Sequence, residues 1–262
     1  MPYSSQHSSS ADIPKVKLSG AGYFFKGFAL IRQKGLRRFV FIPLTINLLL
    51  FSVAFYFMFM QLDHYMVLLD NWLWDGFKWL STLLWPFLVL TVLVLFSFLF
   101  STFANWIAAP FNGLLAEKIE AVLTGHQLSG GSFSDVIKDI PRTLHREWRK
   151  LRYYLPRALG FFMLMLVLPI FGQIIWFLFT AWIMAIQYKD YPFDNHKIPF
   201  DEMRYKLQQH KGLSYSFGVS VAIFSMIPLV NLVVMPVAIC GATALWVDNY
   251  RDDYLNNGTE NR

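Results

Sequence analysis

ALGFFMLMLVLPIFGQIIWFLFTAWIMAIQY, residues 158–188, is an apolar run without a single formal charge. About 20 such residues, at a rise of about 1.5 Å each, already reach across the hydrocarbon layer of a bilayer, so the run could cross as one helix. Near its middle, however, stand Pro169 and Gly172, with Gln173 beside them. Proline lacks the N–H that the helical ladder needs and its ring collides with the preceding turn, while glycine weakens a helix interior. Each half is then roughly 14 to 17 residues, short of a comfortable crossing. The spacing predicts a helical hairpin that dips into the bilayer and returns; one long kinked helix is the alternative. Residues 213–247 repeat the pattern, with Pro228 and Pro236 as breakers and Asn231 between them.

Two earlier apolar runs are not interrupted in this way. Residues 39–62 and 83–109 carry no charge, and each has its proline, Pro43 or Pro86, near one end, where a lost hydrogen bond costs least. Both are long enough to span, with some tilt. The predicted fold is an all-α integral membrane protein: two long transmembrane helices, two broken and partly penetrating hairpins, and amphipathic helices at the surface. Non-helical backbone at membrane depth must face protein or water, so the hairpins are expected to pack against other helices or subunits.

Composition agrees. Of 262 residues, 55% are hydrophobic and 18% aromatic. Only 15% are charged, against about 25% in soluble domains. The net charge of +6 does not point to nucleic acid, because the basic residues gather in the segments between apolar runs. Of 23 Lys and Arg, seven precede residue 39, eight lie in 118–157, five in 189–211 and two after 247. Lys78 alone follows the first span, in a segment that carries Asp63, Asp70 and Asp75. By the positive-inside rule that segment is outside, and both termini are cytoplasmic. Residues 1–14 read as a disordered tail, 15–252 as one membrane domain and 253–262 as a second tail. Within the domain, 15–32 reads as an interfacial helix with Leu18, Gly22, Phe25 and Ala29 on one side. Residues 134–157, containing RTLHREWRKLRYYLPR, read as a basic cytoplasmic helix near anionic headgroups.

The chemistry of catalysis is missing from the pattern. No Walker A loop, dinucleotide fingerprint, HExxH or GxSxG occurs, so neither an enzyme nor an ATP-driven pump is expected, and no cofactor or metal. The single cysteine, Cys240, cannot form an intrachain disulfide. His145 and His196 lack metal-ligand spacing and are expected to be solvated. Coupled carriers usually hold ionisable groups at membrane depth, and the four apolar runs have none. Their polar residues, chiefly Asn47, Asn105, Gln173 and Asn231, serve either helix-to-helix hydrogen bonds or the lining of a passive conduit.

One boundary segment suggests a ligand. In QKGLRRFVFIP, residues 33–43, Gly35 ends one helix and another begins within a few residues. On this reading the N–H groups of Leu36, Arg37 and Arg38 lack helical partners and favour an anion. Two guanidinium forks add donors that match a tetrahedral oxyanion. A plain topological anchor is the competing interpretation.

QKGLRRFVFIPLTIN, FSTFANWIAAPFNGLLAEKIEAVLTG, AIQYKDYPFDNHKIPF and MIPLVNLVVMPVAICGATALWVDNYRD together resemble the CysZ family of bacterial inner-membrane sulfate permeases, from about residue 20 to 252. The resemblance implies channel-like, ATP-independent sulfate uptake serving cysteine biosynthesis, by a homo-oligomer with two long helices and two hairpins per protomer. It implies that Gly35, Leu36, Arg37 and Arg38 bind sulfate; sulfite and related oxyanions have similar chemistry. Asn105, Asn112 and Glu117 are pore-lining candidates, on the expectation that a helix ending at Pro110 exposes them. A membrane scaffold or regulatory partner of sulfate assimilation is the alternative function.

Overall fold

The computed structural model describes residues 18–33, 35–72, 78–125 and 133–257, and among them every regular element is a helix. The tail expected over 1–14 lies outside the described residues. Nine helices follow in order: α1 Gly20–Ile31, α2 Arg38–Trp72, α3 Lys78–Thr124, α4 Phe133–Val167, α5 Phe171–Asn195, α6 Phe200–Gln209, α7 Lys211–Ser225, α8 Pro228–Asn249 and α9 Arg251–Asn257. The last of these enters the segment read as a C-terminal tail.

The first break falls where the proline and glycine predict it. Residues 168–170 turn the chain between α4 and α5. A Cβ on Gly172 would stand 2.5 Å from Met165 Cα, so the two arms approach so closely that a side chain here would force them apart. The second turn is tighter in sequence, at 226–227, and Pro228 opens α8 in its first turn, where its absent N–H costs nothing. Pro236 does not break α8, contrary to expectation; proline removes one ladder bond, which a well-packed helix survives.

Four helices are longer than the sequence pattern implied. α2, with 35 residues, runs to Trp72, ten residues past the end of the predicted 39–62 span. α3 runs 47 residues, straight through Pro110 to Thr124. α4 joins the basic segment and the first hairpin arm into one 35-residue helix, with Pro141 and Pro156 inside it. α5 has 25 residues and is long and apolar enough to cross a membrane by length and composition, with 39% of its most apolar window buried.

Burial divides the molecule. α1, α5, α7 and α8 pack on one another, α4 against α5, and the C-terminal part of α3 against α5 and α8. Their interface is the core, with Tyr23, Phe24, Ile186, Phe193, Phe217 and Trp246 almost fully enclosed. α1 is tied to the end of α8 by two neighbouring side chains: Lys26 pairs with Asp248 at 3.2 Å, and the Asn249 amide donates to the Tyr23 hydroxyl at 3.0 Å. Its buried side is Tyr23, Phe24, Gly27 and Leu30, so Leu18, Phe25 and Ala29, predicted as one side, form the outward one. α2 touches chiefly α3, and large apolar side chains on α2 and early α3, such as Leu48, Tyr56 and Phe87, are more than half exposed.

Candidate functional site

The loop between α1 and α2 is built around Gly35, whose φ of 96° lies in the left-handed region. An L side chain is disfavoured there by about 1–2 kcal/mol. The positive φ turns the chain so that Leu36, only 3% exposed, plugs into the core while its neighbours point outward. The Leu36 N–H donates to the Gln33 carbonyl at 3.3 Å, so this amide is not free as expected, although the bond is long. Arg37 is exposed, and its Nε donates to the Arg32 carbonyl at 3.0 Å. Arg38 is the first residue of α2, and the Arg37 carbonyl accepts the first bond of that helix, from Phe41 N–H at 2.9 Å. Arg37 and Arg38 therefore stand in sequence at the start of α2, where the helix dipole favours an anion.

The pore-lining candidates separate. The side chain of Asn105 lies outside the described residues. Asn112 is 8% exposed, and its amide points to the Tyr191 hydroxyl at 3.3 Å. Glu117, one turn further along the uninterrupted α3, is half-buried. Because α3 does not end at Pro110, helix termination exposes none of them.

A buried ionic network, not foreseen from spacing, lies next to Asn112. Glu120, 1% exposed, accepts from His196 Nε2 at 2.9 Å and from Arg251 Nε at 3.0 Å. Burial would raise its carboxyl, but the hydrogen bonds and charges of His196 and Arg251 outweigh that and hold it below the ordinary glutamate range. His196 is thus not a solvated surface histidine: its ring is 5.1 Å from that of Trp246. Asp190 accepts from Arg146 Nη2 at 2.6 Å and Lys150 Nζ at 2.9 Å, and Arg146 also donates to the Ile198 carbonyl at 2.6 Å. Lys150 is pulled two ways: burial disfavours its charge, but Asp190 and Glu147 beside it win and raise it above the ordinary lysine value. These pairs hold α3, α4, α5 and α9 together. The one sequence signal was residue type, since 142–157 and 189–201 carry opposite charges that two antiparallel neighbouring helices can match.

Between α2 and α3 lies an open hollow of about 660 Å³, lined by Ala54, Phe57, Met58, Gln61 and Phe96 among others. Its wall is almost wholly apolar and offers no set of donors for a dianion. Among the described residues no three His, Cys, Asp or Glu side chains converge as a metal would need.

Residues 23–236 match the family described as Sulfate transporter CysZ/Etoposide-induced protein 2.4. The chain is 53% identical over 240 residues to the protein named Sulfate transporter CysZ of Vibrio parahaemolyticus serotype O3:K6, covering 89% of this chain and 96% of the relative. It is 51% identical over 252 residues to the protein of the same name in Vibrio atlanticus, covering 94% and 98%. The family match includes the Gly35 loop, the first hairpin, His196 and the second hairpin as far as Pro236, and together with these relatives it shows that the chain belongs to the Sulfate transporter CysZ/Etoposide-induced protein 2.4 family.

Proposed function

We propose that this protein carries sulfate across the bacterial inner membrane by a channel-like, ATP-independent route that supplies sulfate for assimilation and cysteine biosynthesis. Identity above one half to relatives named as sulfate transporters, over nearly the whole of both chains, carries the proposal. Its role is transport, not catalysis.

The membrane arrangement follows from length and chemistry. At about 1.5 Å per residue α2 extends roughly 52 Å and α3 roughly 70 Å, beyond the roughly 30 Å of hydrocarbon. Their outward apolar side chains suit lipid, and residues 39–62 and 83–109 hold no charge that lipid would penalise. α7, with 15 residues, is about 22 Å long and falls short of crossing. α5 by contrast is long enough to cross, so residues 158–188 belong either to a returning hairpin or to a double crossing. Two spans followed by either put both termini in the cytoplasm, as the charge distribution suggests. A homo-oligomer would cover the remaining faces of the hairpins.

Sulfate binding is assigned to Gly35, Leu36, Arg37 and Arg38. Leu36 fixes the loop to the core, Gly35 permits its turn, and the two arginines supply forked donors at the start of α2. A dianion leaving water must find replacement donors, and an inside-negative potential of 100 mV opposes its entry by roughly 4.6 kcal/mol. The arginines raise the local sulfate concentration, and neutral donors beyond them, Asn105 and Asn112, replace hydration; Glu117, the third residue of the proposed lining, is an acceptor and would repel rather than hold the dianion. Net flow then depends on consumption of sulfate inside the cell.

Reconstituted vesicles test this directly. Labelled sulfate should equilibrate with protein-containing vesicles and not with empty ones, and Arg37→Ala with Arg38→Ala should weaken sulfate binding. Undiminished binding in the double variant would remove the site. Absence of flux under every gradient, with cells still needing the protein, would favour a scaffold or regulatory role.

A further inference from the structure

A second cationic cavity lies away from the Gly35 loop, between α4 and α6. It has a volume of about 190 Å³ and is walled by Arg149, Arg152, Arg157 and Arg204 around Tyr153. One acid, Asp201, also borders it, 3.4 Å from Arg204 and 3.9 Å from Arg149. Four guanidiniums facing one carboxylate leave an excess of three positive charges, which is costly to hold together unless an anion joins them.

The cavity is built, not accidental. The Tyr153 ring is clamped between two guanidiniums, Arg157 at 4.0 Å and Arg204 at 4.8 Å from its centroid. The ring is held in turn from α5, where Trp182 Nε1 donates to the Tyr153 hydroxyl at 3.1 Å. Arg157 also donates to the Tyr153 carbonyl at 2.9 Å. The arginine planes are thereby set before any ligand arrives, which lowers the ordering cost of binding. Arg152 differs: among the described residues it has no hydrogen-bond or ion-pair partner, and it is exposed.

What borders the cavity identifies its occupant. Leu144, Trp148, Leu151, Leu155, Leu159 and Leu166 are all exposed and recur at intervals of three, four or seven along α4, which makes one continuous outward apolar stripe. Arg152 follows Leu151 and stands between that stripe and the cavity. A phospholipid has this same order of parts, with acyl chain first and phosphate at its polar end. We infer that the α4–α6 arginine cavity binds the phosphate of an anionic phospholipid whose acyl chain lies along the α4 stripe. The forked guanidiniums match phosphate oxygens, and a basic cavity at the cytoplasmic side is where such a headgroup would be met. The inference rests on the proposed membrane embedding and is independent of sulfate flux.

Native mass spectrometry of the full chain in detergent, titrated separately with phosphatidylglycerol, phosphatidylcholine, inorganic phosphate and inorganic sulfate, tests it. Wild-type protein should retain phosphatidylglycerol roughly tenfold better than phosphatidylcholine, since only the former leaves the cationic excess uncompeted by a choline. Arg152→Ala, which breaks no internal bond, should lower phosphatidylglycerol affinity about threefold to tenfold, and Arg152→Ala with Arg204→Ala further, with helicity by circular dichroism unchanged. Equal retention of the two lipids, or an Arg152→Ala protein that binds phosphatidylglycerol like wild type, would overturn the inference. Displacement of the lipid by equimolar inorganic sulfate or phosphate would also overturn it, by assigning the cavity to a free oxyanion. Lipid retention in a protein without sulfate flux would uphold this cavity and count against the transport proposal alone.

Discussion

The α2 helix with the first part of α3, and the body formed by α1, α5, α7 and α8, use the same residue types to opposite ends. In the body, phenylalanine and tryptophan are enclosed at Phe24, Phe193 and Trp246, and charges are buried in pairs at Asp190 and Glu120. In α2 and early α3, leucine and phenylalanine face outward and charge is absent from residues 39–62 and 83–109. The body encloses its apolar side chains and gives its buried charges partners, an acid or base for most and the Ser214 hydroxyl at 3.0 Å for Lys189, whereas the helical pair leaves its apolar side chains exposed. The contrast changes over near the start of α2, where Gly35 and the two arginines stand and where the proposed membrane boundary falls.

The contrast can be broken most severely within the body. Asp190→Ala leaves Arg146 with Asp194 at 3.4 Å and Lys150 with the exposed Glu147 as their remaining acids, a loss of up to about 3–5 kcal/mol that should appear as a fall in folded yield and in the unfolding temperature in detergent. In α2 the decisive change is the reverse, the addition of a charge. Leu48→Lys should cost roughly 2.5–3.5 kcal/mol of insertion if lipid covers it, against less than about 0.5 kcal/mol at a water-facing site. The fraction of chains inserted, measured by glycosylation mapping, separates the two. At the boundary, Gly35→Ala forces an alanine into a left-handed backbone at about 1 kcal/mol, or unwinds the loop. Sulfate affinity by calorimetry should fall roughly fivefold, and unchanged affinity would detach the turn from the site.

The smallest effect is confined to acid. The Glu120 carboxyl is held below 4.5, its ordinary value, by His196 and Arg251 against the opposing effect of burial. A group depressed in the folded state adds stability that is complete above its unfolded value and is lost as pH falls through the folded one. Thermal unfolding in detergent should therefore weaken below about pH 4.5, and a Glu120→Gln protein should show a flatter acid limb. An equally steep limb in that variant would place the acid sensitivity elsewhere.

Much of the architecture was legible because proline, glycine and uninterrupted hydrophobicity act locally. Pro169 and Gly172 mark a turn that occurs, and Pro228 marks another. Pro236 and Pro110 misled, because whether a proline ends a helix depends on the packing around it, and both lie in helices that neighbours support. For α1 the apolar residues go all round the helix, so periodicity could not say which side the core would take. The Gly35 turn was readable from residue type alone, whereas the Leu36 amide bond to Gln33 depends on a backbone path that no spacing specifies. His196 escaped notice for a different reason. Its partner Glu120 is 76 residues away, and Arg251, which shares that carboxylate, is 131 from Glu120; pairings at such separation are set by helix packing.

α3 is a single rod that shares its length between the two regions, with Leu90 and Val94 outward near one end and Asn112 and Glu120 inside the body at the other. A rod about 70 Å long pivoted at its middle is a lever: a tilt of about 5° displaces each end by roughly 3 Å, close to a full hydrogen-bond length. Bilayer thickness sets the tilt that a long apolar helix adopts. In the proposed bilayer arrangement membrane thickness would then be a mechanical input to the polar end of α3, and sulfate flux compared in vesicles of short-chain and long-chain lipids would measure how stiffly that input is transmitted.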